Sequence, residues 1–173
     1  MPKQIPSSLT DFNAYRNGSE YLGVADVELP NLEAMTQTLS GAGIAGEIEI
    51  PILGLFGSMT TTINWRTLDK ATFKLARLEA QQIDFRGSIQ GFDTGSSTIT
   101  HTPLKVTMRV LPKNTNLGSL TTGNPMESGN ELEVIYIKII YDGVTVTEID
   151  RFNYICIIDG VDYSAKIRAN LGE

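Results

Sequence analysis

The strongest constraint on the fold lies between Glu131 and Ile158, ELEVIYIKIIYDGVTVTEIDRFNYICII, where two runs rich in β-branched and aromatic residues meet at Asp142-Gly143. Such residues suit a pleated, half-buried surface, and Asp-Gly supplies the two positive φ angles of a type I′ turn, so the sequence predicts a β-hairpin. Counting outward from the turn places Tyr141 opposite Val144 and Ile139 opposite Val146, with Ile140, Lys138 and Tyr136 on the other face. Both faces are mostly apolar. A hairpin of this kind needs cover on both sides, from the rest of the fold or from a second chain.

A chain of 173 residues is long enough to bury a core without metals or disulfides, and it reads as one domain over 1–173. Its single cysteine, Cys156, has no intrachain partner and sits in a β run as a small apolar residue. A formal charge of −6 argues against a basic surface that grips nucleic-acid phosphates, although it leaves passive contact with DNA open. No apolar run approaches the roughly 18 to 20 residues of a membrane span, and MPKQIPSSL at the start lacks a signal-peptide core. The expectation is a soluble protein made in the cytosol, with no membrane insertion. Asn17-Gly18-Ser19 then reads as a turn rather than a glycosylation site.

An N-terminal arm over 1–12 leads into a short hairpin, Asn13 to Tyr15 and Tyr21 to Val27, about Asn17-Gly18. Leu32 to Leu39 and Gly46 to Ile50 alternate as strands around Gly41-Ala42-Gly43 and form a long hairpin with a loose tip. A Gly-punctuated apolar segment, Pro51 to Gly57, precedes a strand from Met59 to Arg66. One helix is expected over Thr67 to Gln81, where Leu68, Ala71, Leu75 and Leu78 make an apolar stripe and Phe73 lies off its centre. Strands over Gln82 to Phe92 and Ile99 to Leu111 follow, joined through Asp93 to Ser96. Residues 112–130 read as a long surface loop. After the Glu131 to Ile158 hairpin come a turn at Asp159-Gly160 and a short helix or coil from Tyr163 to Asn170, ending at Gly172.

None of the motifs carries catalytic, metal or cofactor chemistry. Gly41 to Gly46 spells GxGxxG, but the helix that would hold a pyrophosphate is missing: GEIEIP has period two and ends in proline. Glu47 and Glu49 share one strand face, and therefore one environment, whereas a glycosidase pair needs unlike environments flanking a substrate. Glu131/Glu133 and Glu148/Asp150 read in the same way, as solvated acidic faces. His101 is the only histidine and lacks the partners of a zinc site or an activated nucleophile.

The order of segments NAYRNGSEYLGVADVELPNLE (Asn13 to Glu33), SGAGIAGEI (Ser40 to Ile48), the Trp65 strand end, FRGSIQ (Phe85 to Gln90), VTMRV (Val106 to Val110) and YDGVTVTEIDRFNYICIIDGVDY (Tyr141 to Tyr163) resembles the major tail tube protein of contractile-tailed bacteriophages and phage-tail-like bacteriocins. The resemblance covers nearly the whole chain; 51–59 and 112–130 match least. It implies a mostly β, single-domain sandwich or barrel with one flanking α-helix. The inner sheet of such a subunit joins a continuous barrel across hexameric rings. Those rings stack into a tube, with sheath, baseplate and tail terminator proteins as partners and DNA passing through in a phage. No cofactor or enzymatic activity is implied.

From the alternation of the strands, Ala34, Thr36, Thr38, Glu47, Glu49, Thr60, Thr62 and Asn64 are candidate lumen-lining positions. Ser40, Gly41, Gly43 and Gly46, with Asn116 and Gly123 of the 112–130 loop, are candidate contacts between subunits, because segments so poor in apolar residues order only against a partner. Two other readings stand beside this one: the tube of a type VI-like secretion apparatus and a monomeric β-sandwich binding module. Concentration-dependent assembly separates the module from both tubes.

Overall fold

The computed structural model describes residues 4–23 and 26–172. The β-rich runs become strands β1 (Gln4–Arg16), β2 (Glu20–Tyr21), β3 (Asp26–Glu28), β4 (Ala34–Ser40), β5 (Glu47–Phe56) and β6 (Thr60–Trp65). After helix α1 (Lys70–Leu75) come β7 (Gln81–Asp93), β8 (Thr98–Asn116), β9 (Ser128–Tyr141), β10 (Val144–Asp150), β11 (Ile155–Ile158) and β12 (Val161–Asp162), then helix α2 (Ala165–Leu171). The described residues are therefore mostly β, as expected, with α1 inside the expected helix and α2, capped by Gly172, in the segment read as short helix or coil.

Ten strands form one antiparallel sheet in the order β12-β11-β10-β9-β8-β7-β1-β2, and β6 adds to β9 while holding β3 on its other edge. β9 is the fork. One of its edges pairs with β8 from Gly129 to Tyr141, whereas the other pairs with β6 up to Glu133 and with β10 from Tyr136 onward. The two residues between are not left unsatisfied, because Val134 N–H donates to Met59 O (2.7 Å) and Arg151 N–H donates to Ile135 O (3.2 Å). Inward side chains of both branches, including Ile63, Ile83, Phe85, Met108, Val110, Leu132, Val134, Ile137 and Ile149, form one buried cluster with Ala71 and Leu75 of α1. Burying each of the larger ones contributes roughly 1.5–3 kcal/mol.

The Asp142-Gly143 turn has the expected shape, with φ of 50° and 77°. Tyr141 pairs with Val144 as counted, but Val146 bulges out and Ile139 faces Thr147 instead. A bulge adds one unpaired residue, which alternation cannot reveal. The second run is also two strands rather than one: Asp150 Oδ1 accepts from the N–H groups of Phe152 (3.0 Å) and Asn153 (3.1 Å), turning the chain between β10 and β11. The outward face of β9 is half-buried by its own network. Arg109 lies 4.8 Å over the Tyr136 ring, and the Tyr136 hydroxyl donates to Glu148 (2.9 Å), which also pairs with Lys138 (3.2 Å). Burial, reinforced by Glu148, pushes the Tyr136 phenol up to about 12.

Other expectations need correction. From Gln4 onward the N-terminal arm is the first half of β1, paired with β7. The Tyr21 to Val27 run is split into β2 and β3, and its residues 24–25 lie outside the described residues, as do 1–3 of the arm. Pro51 to Phe56 continues β5. α1 stops early because the side-chain amide of Gln81 donates to the carbonyls of Leu75 (3.4 Å) and Arg77 (3.2 Å), occupying orphan helix-end groups. Leu78 therefore leaves the stripe and is 94% exposed, while Phe73 is exposed too.

The 112–130 loop is shorter than expected, since β8 runs to Asn116 and β9 begins at Ser128, leaving 117–127. That remainder is tied down by Ser119 N–H to Met126 O (2.8 Å), Met126 N–H to Arg66 O (2.8 Å) and Gly118 N–H to Asn116 Oδ1 (2.9 Å). A Cβ at Gly118 would lie 2.0 Å from the Met126 carbonyl oxygen, so glycine alone fits there.

Candidate functional site

β4 and β5 form a two-stranded sheet of their own, sharing no ladder with the ten-stranded one. Thr38 pairs with Glu49, Ser40 with Glu47 and Thr36 with Pro51, which puts five polar or acidic side chains and one proline on one face; Leu39 with Ile48 and Gln37 with Ile50 make the opposite face. Thr36, Thr38, Glu47 and Glu49 are thus brought onto one exposed face, with Ala34 at its root opposite Phe56. The remaining candidates lie elsewhere. Thr60, Thr62 and Asn64 share the outward face of β6, while Thr61, Ile63 and Trp65 turn inward and are buried.

The β6 row continues on both sides. Thr62 faces Glu28 and Asn64 faces Asp26 on β3; on β9, Thr60 faces Glu133 and Thr62 faces Glu131. Cross-strand partners present their side chains to the same face, so a polar and acidic surface spans β3, β6 and β9. Asp26 and Glu28 were missed by the strand-by-strand reading. A signal for them exists in the chain, since no lysine or arginine occurs between Arg16 and Arg66. Cations do reach the surface from outside that segment: Lys113 Nζ lies 3.2 Å from Glu131, and Arg151 lies 2.8 Å from Glu133.

Glu133 also accepts from the Ser58 hydroxyl at 2.6 Å. Burial raises its carboxyl, but the hydrogen bonds from Ser58 and Arg151 outweigh that and hold it below the ordinary value of 4.5. Glu20 is lowered by its hydrogen bonds from Lys74 and Arg16, and Asp162 chiefly by Arg168. A depressed carboxyl contributes stability that is full above its unfolded value and is lost as pH falls through the folded one. Thermal unfolding is therefore expected to change little from these groups between neutrality and about pH 5, then to shift to lower temperature with further acid. The Glu133→Gln variant, stepped through the same pH series by circular dichroism, should lose part of that acid dependence; an identical profile would show that Glu133 contributes nothing to it.

The candidate subunit contacts fall in two places. Ser40, Gly41, Gly43 and Gly46 occupy the exposed tip of the β4–β5 hairpin, whereas Asn116 ends β8 and Gly123 lies in the loop over 117–127. Among the described residues no group of three or more His, Cys, Asp or Glu side chains is arranged to hold a metal, and no helix is long and apolar enough to cross a membrane.

Residues 6–172 match the family model described as phage tail tube protein FII. This chain belongs to the phage tail tube family. The tail tube protein of Escherichia phage P2 is 30% identical over 179 aligned residues, covering 97% of this chain and 98% of that protein. Among solved structures, a chain in the cryo-EM structure of the sheath/tube terminator of an extracellular contractile injection system (PVC), in the extended state, superimposes with a TM-score of 0.55 at 12% identity, over 78% of this chain and 96% of that one. That likeness extends the tail tube fold to a distant sequence. The chain is a structural component of a phage-type tail rather than an enzyme.

Proposed function

We propose that this tail tube protein assembles into hexameric rings that stack into a hollow tube, within a contractile sheath, and that the tube carries the DNA of a phage. The observation that carries this reading is the β4–β5 hairpin. It stands apart from the main sheet with Leu39, Ile48, Ile50 and Ile52 all exposed. A two-stranded ribbon is marginal in water, and an uncovered apolar row marks a surface that another chain covers. In the ring, the hairpins and the β6 face form the inner wall, with Ala34, Thr36, Thr38, Glu47, Glu49, Thr60, Thr62 and Asn64 toward the bore. The hairpin tip and the 117–127 loop meet neighbouring subunits. Baseplate and terminator proteins cap the two ends, and the subunits are made in the cytoplasm of a bacterial host. The P2 relative favours DNA over the ion passage of a bacteriocin and over a secretion tube.

Negative-stain electron microscopy of the purified protein over a range of concentrations tests this. Wild type is expected to form rings and rods of uniform bore, and the Leu39→Glu/Ile48→Glu variant to stay monomeric with an unchanged far-UV spectrum. Rods formed equally well by the variant would remove the hairpin from the contact; a wild type monomeric at every concentration would favour the binding module.

A further inference from the structure

β5 does not run evenly along β4. The register steps from Thr36 opposite Pro51 to Ala34 opposite Phe56, so Ile52 to Leu55 swell out of the ladder across from Met35. Gly54 sits within this swelling at φ 77°. A Cβ there would come 2.4 Å from the Ser164 hydroxyl and 3.9 Å from the Cβ of Cys156. Around that contact, Ile52, Leu55, Cys156, Ile158 and Tyr163 line an apolar groove of about 280 Å³ between the hairpin root and the C-terminal segment. Ser164 is buried and held in place: its N–H donates to Asp162 Oδ1 at 2.9 Å, and Asp162 Oδ2 accepts from Arg168 at 2.5 Å. Arg168 also donates to the Tyr154 carbonyl at 2.7 Å, anchoring α2 to the turn before β11.

We propose that the seating of Gly54 against Ser164 is a latch that fixes the angle at which the β4–β5 hairpin leaves the body, making β12 and α2 a positioning element for the subunit contact. The hairpin shares no ladder with the main sheet, so its direction is set by its two connections and by what its root touches. The connections are tied to each other, Gly57 N–H donating to Glu33 O at 3.0 Å, and the second is held to β9 through the Ser58 hydroxyl on Glu133 (2.6 Å) and Val134 N–H on Met59 O (2.7 Å). All of these lie at the hairpin's base, and the latch supplies a further fixed point on the body, away from that base. A head-to-tail ring closes only if every subunit presents its contact at the same angle, because any error repeats around the ring. The inference rests on reading the hairpin as a subunit contact, and the two ideas fail differently.

Spin labels on cysteines introduced at Ala42, in the tip, and at Leu78, 94% exposed on the body, report the hairpin angle as a distance distribution in the monomer, Cys156 being buried and left unlabelled. Wild type is expected to give one narrow distribution. Gly54→Ala should shift or broaden it and abolish rods in the microscope, while the far-UV spectrum stays that of the wild type. Adding Ser164→Ala removes the hydroxyl that the new methyl meets, and should restore both distribution and rods even though the backbone of residue 54 remains strained. Arg168→Ala loosens the latch without touching Gly54, is expected to broaden the distribution, and carries the test if Gly54→Ala does not fold. Unchanged distributions in the folded variants would overturn the latch, and a Gly54→Ala defect that Ser164→Ala does not relieve would overturn the role of Ser164. A shifted distribution with normal rods would uphold the latch and overturn the hairpin as the subunit contact.

Discussion

Replacing Asn130 by alanine is expected to destabilise the subunit by about 3 kcal/mol, the sum of an orphaned donor and a small cavity. Asn130 is fully buried. Its Oδ1 accepts from the Trp65 indole N–H at 2.9 Å, and its Nδ2 donates to the Thr72 carbonyl at 3.2 Å and to the Thr115 hydroxyl at 3.0 Å. One side chain thus joins β6, β9, α1 and β8. Removing it leaves the indole N–H without a partner in the core, whereas the Thr72 carbonyl still accepts from Ala76 N–H. For a chain of this size the midpoint of thermal unfolding should fall by roughly 6 to 12 °C. Trp65→Phe removes the donor and leaves the Asn130 acceptor unpaired, so the two substitutions should be strongly non-additive in a double-mutant cycle. Additive effects, or a midpoint unchanged in Asn130→Ala, would show that this network does not hold α1 to the sheet.

The second large effect concerns charge. Glu47→Lys/Glu49→Lys keeps the strand alternation but reverses both charges on the hairpin face, and a ring of subunits multiplies the change. If that face lines the bore, the wall becomes a surface that binds phosphates, and DNA is retained or slowed in transit at low salt. Both glutamates are exposed and lie opposite Ser40 and Thr38 rather than a cation, so the substitution breaks no ion pair within the subunit. Tubes are therefore expected to assemble, with DNA delivery by the particles sharply reduced and partly recovered as salt screens the new charges. Normal delivery through morphologically normal tubes would remove Glu47 and Glu49 from the wall of the channel. In a particle without DNA, ion conductance through the tube is the corresponding measurement.

Alternation, turn chemistry and segment order were enough to establish the β class, the Asp142-Gly143 and Asp159-Gly160 turns, most strands and the tail tube family. These are local properties: the period of the side chains and the φ angles a turn demands are written into a few consecutive residues. That Thr36 and Thr38 share one face of their strand, and Glu47 and Glu49 one face of theirs, was legible for the same reason, whereas the loose tip leaves register open and it is the pairing that joins the two rows. What depended on contacts distant in sequence was not legible. The extra residue at Val146, the turn that Asp150 makes between β10 and β11, and the end of α1 beneath Gln81 each follow from a backbone group finding its partner in space. The acidic row from Asp26 and Glu28 through β6 to Glu131 and Glu133 brings together segments about a hundred residues apart, and only strand pairing joins them. Likewise Gly54, read along the chain, is one more flexible residue; packed against Ser164 it becomes a position where a single methyl group has no room. Sequence period decides which way a side chain points, and tertiary packing decides what it meets there.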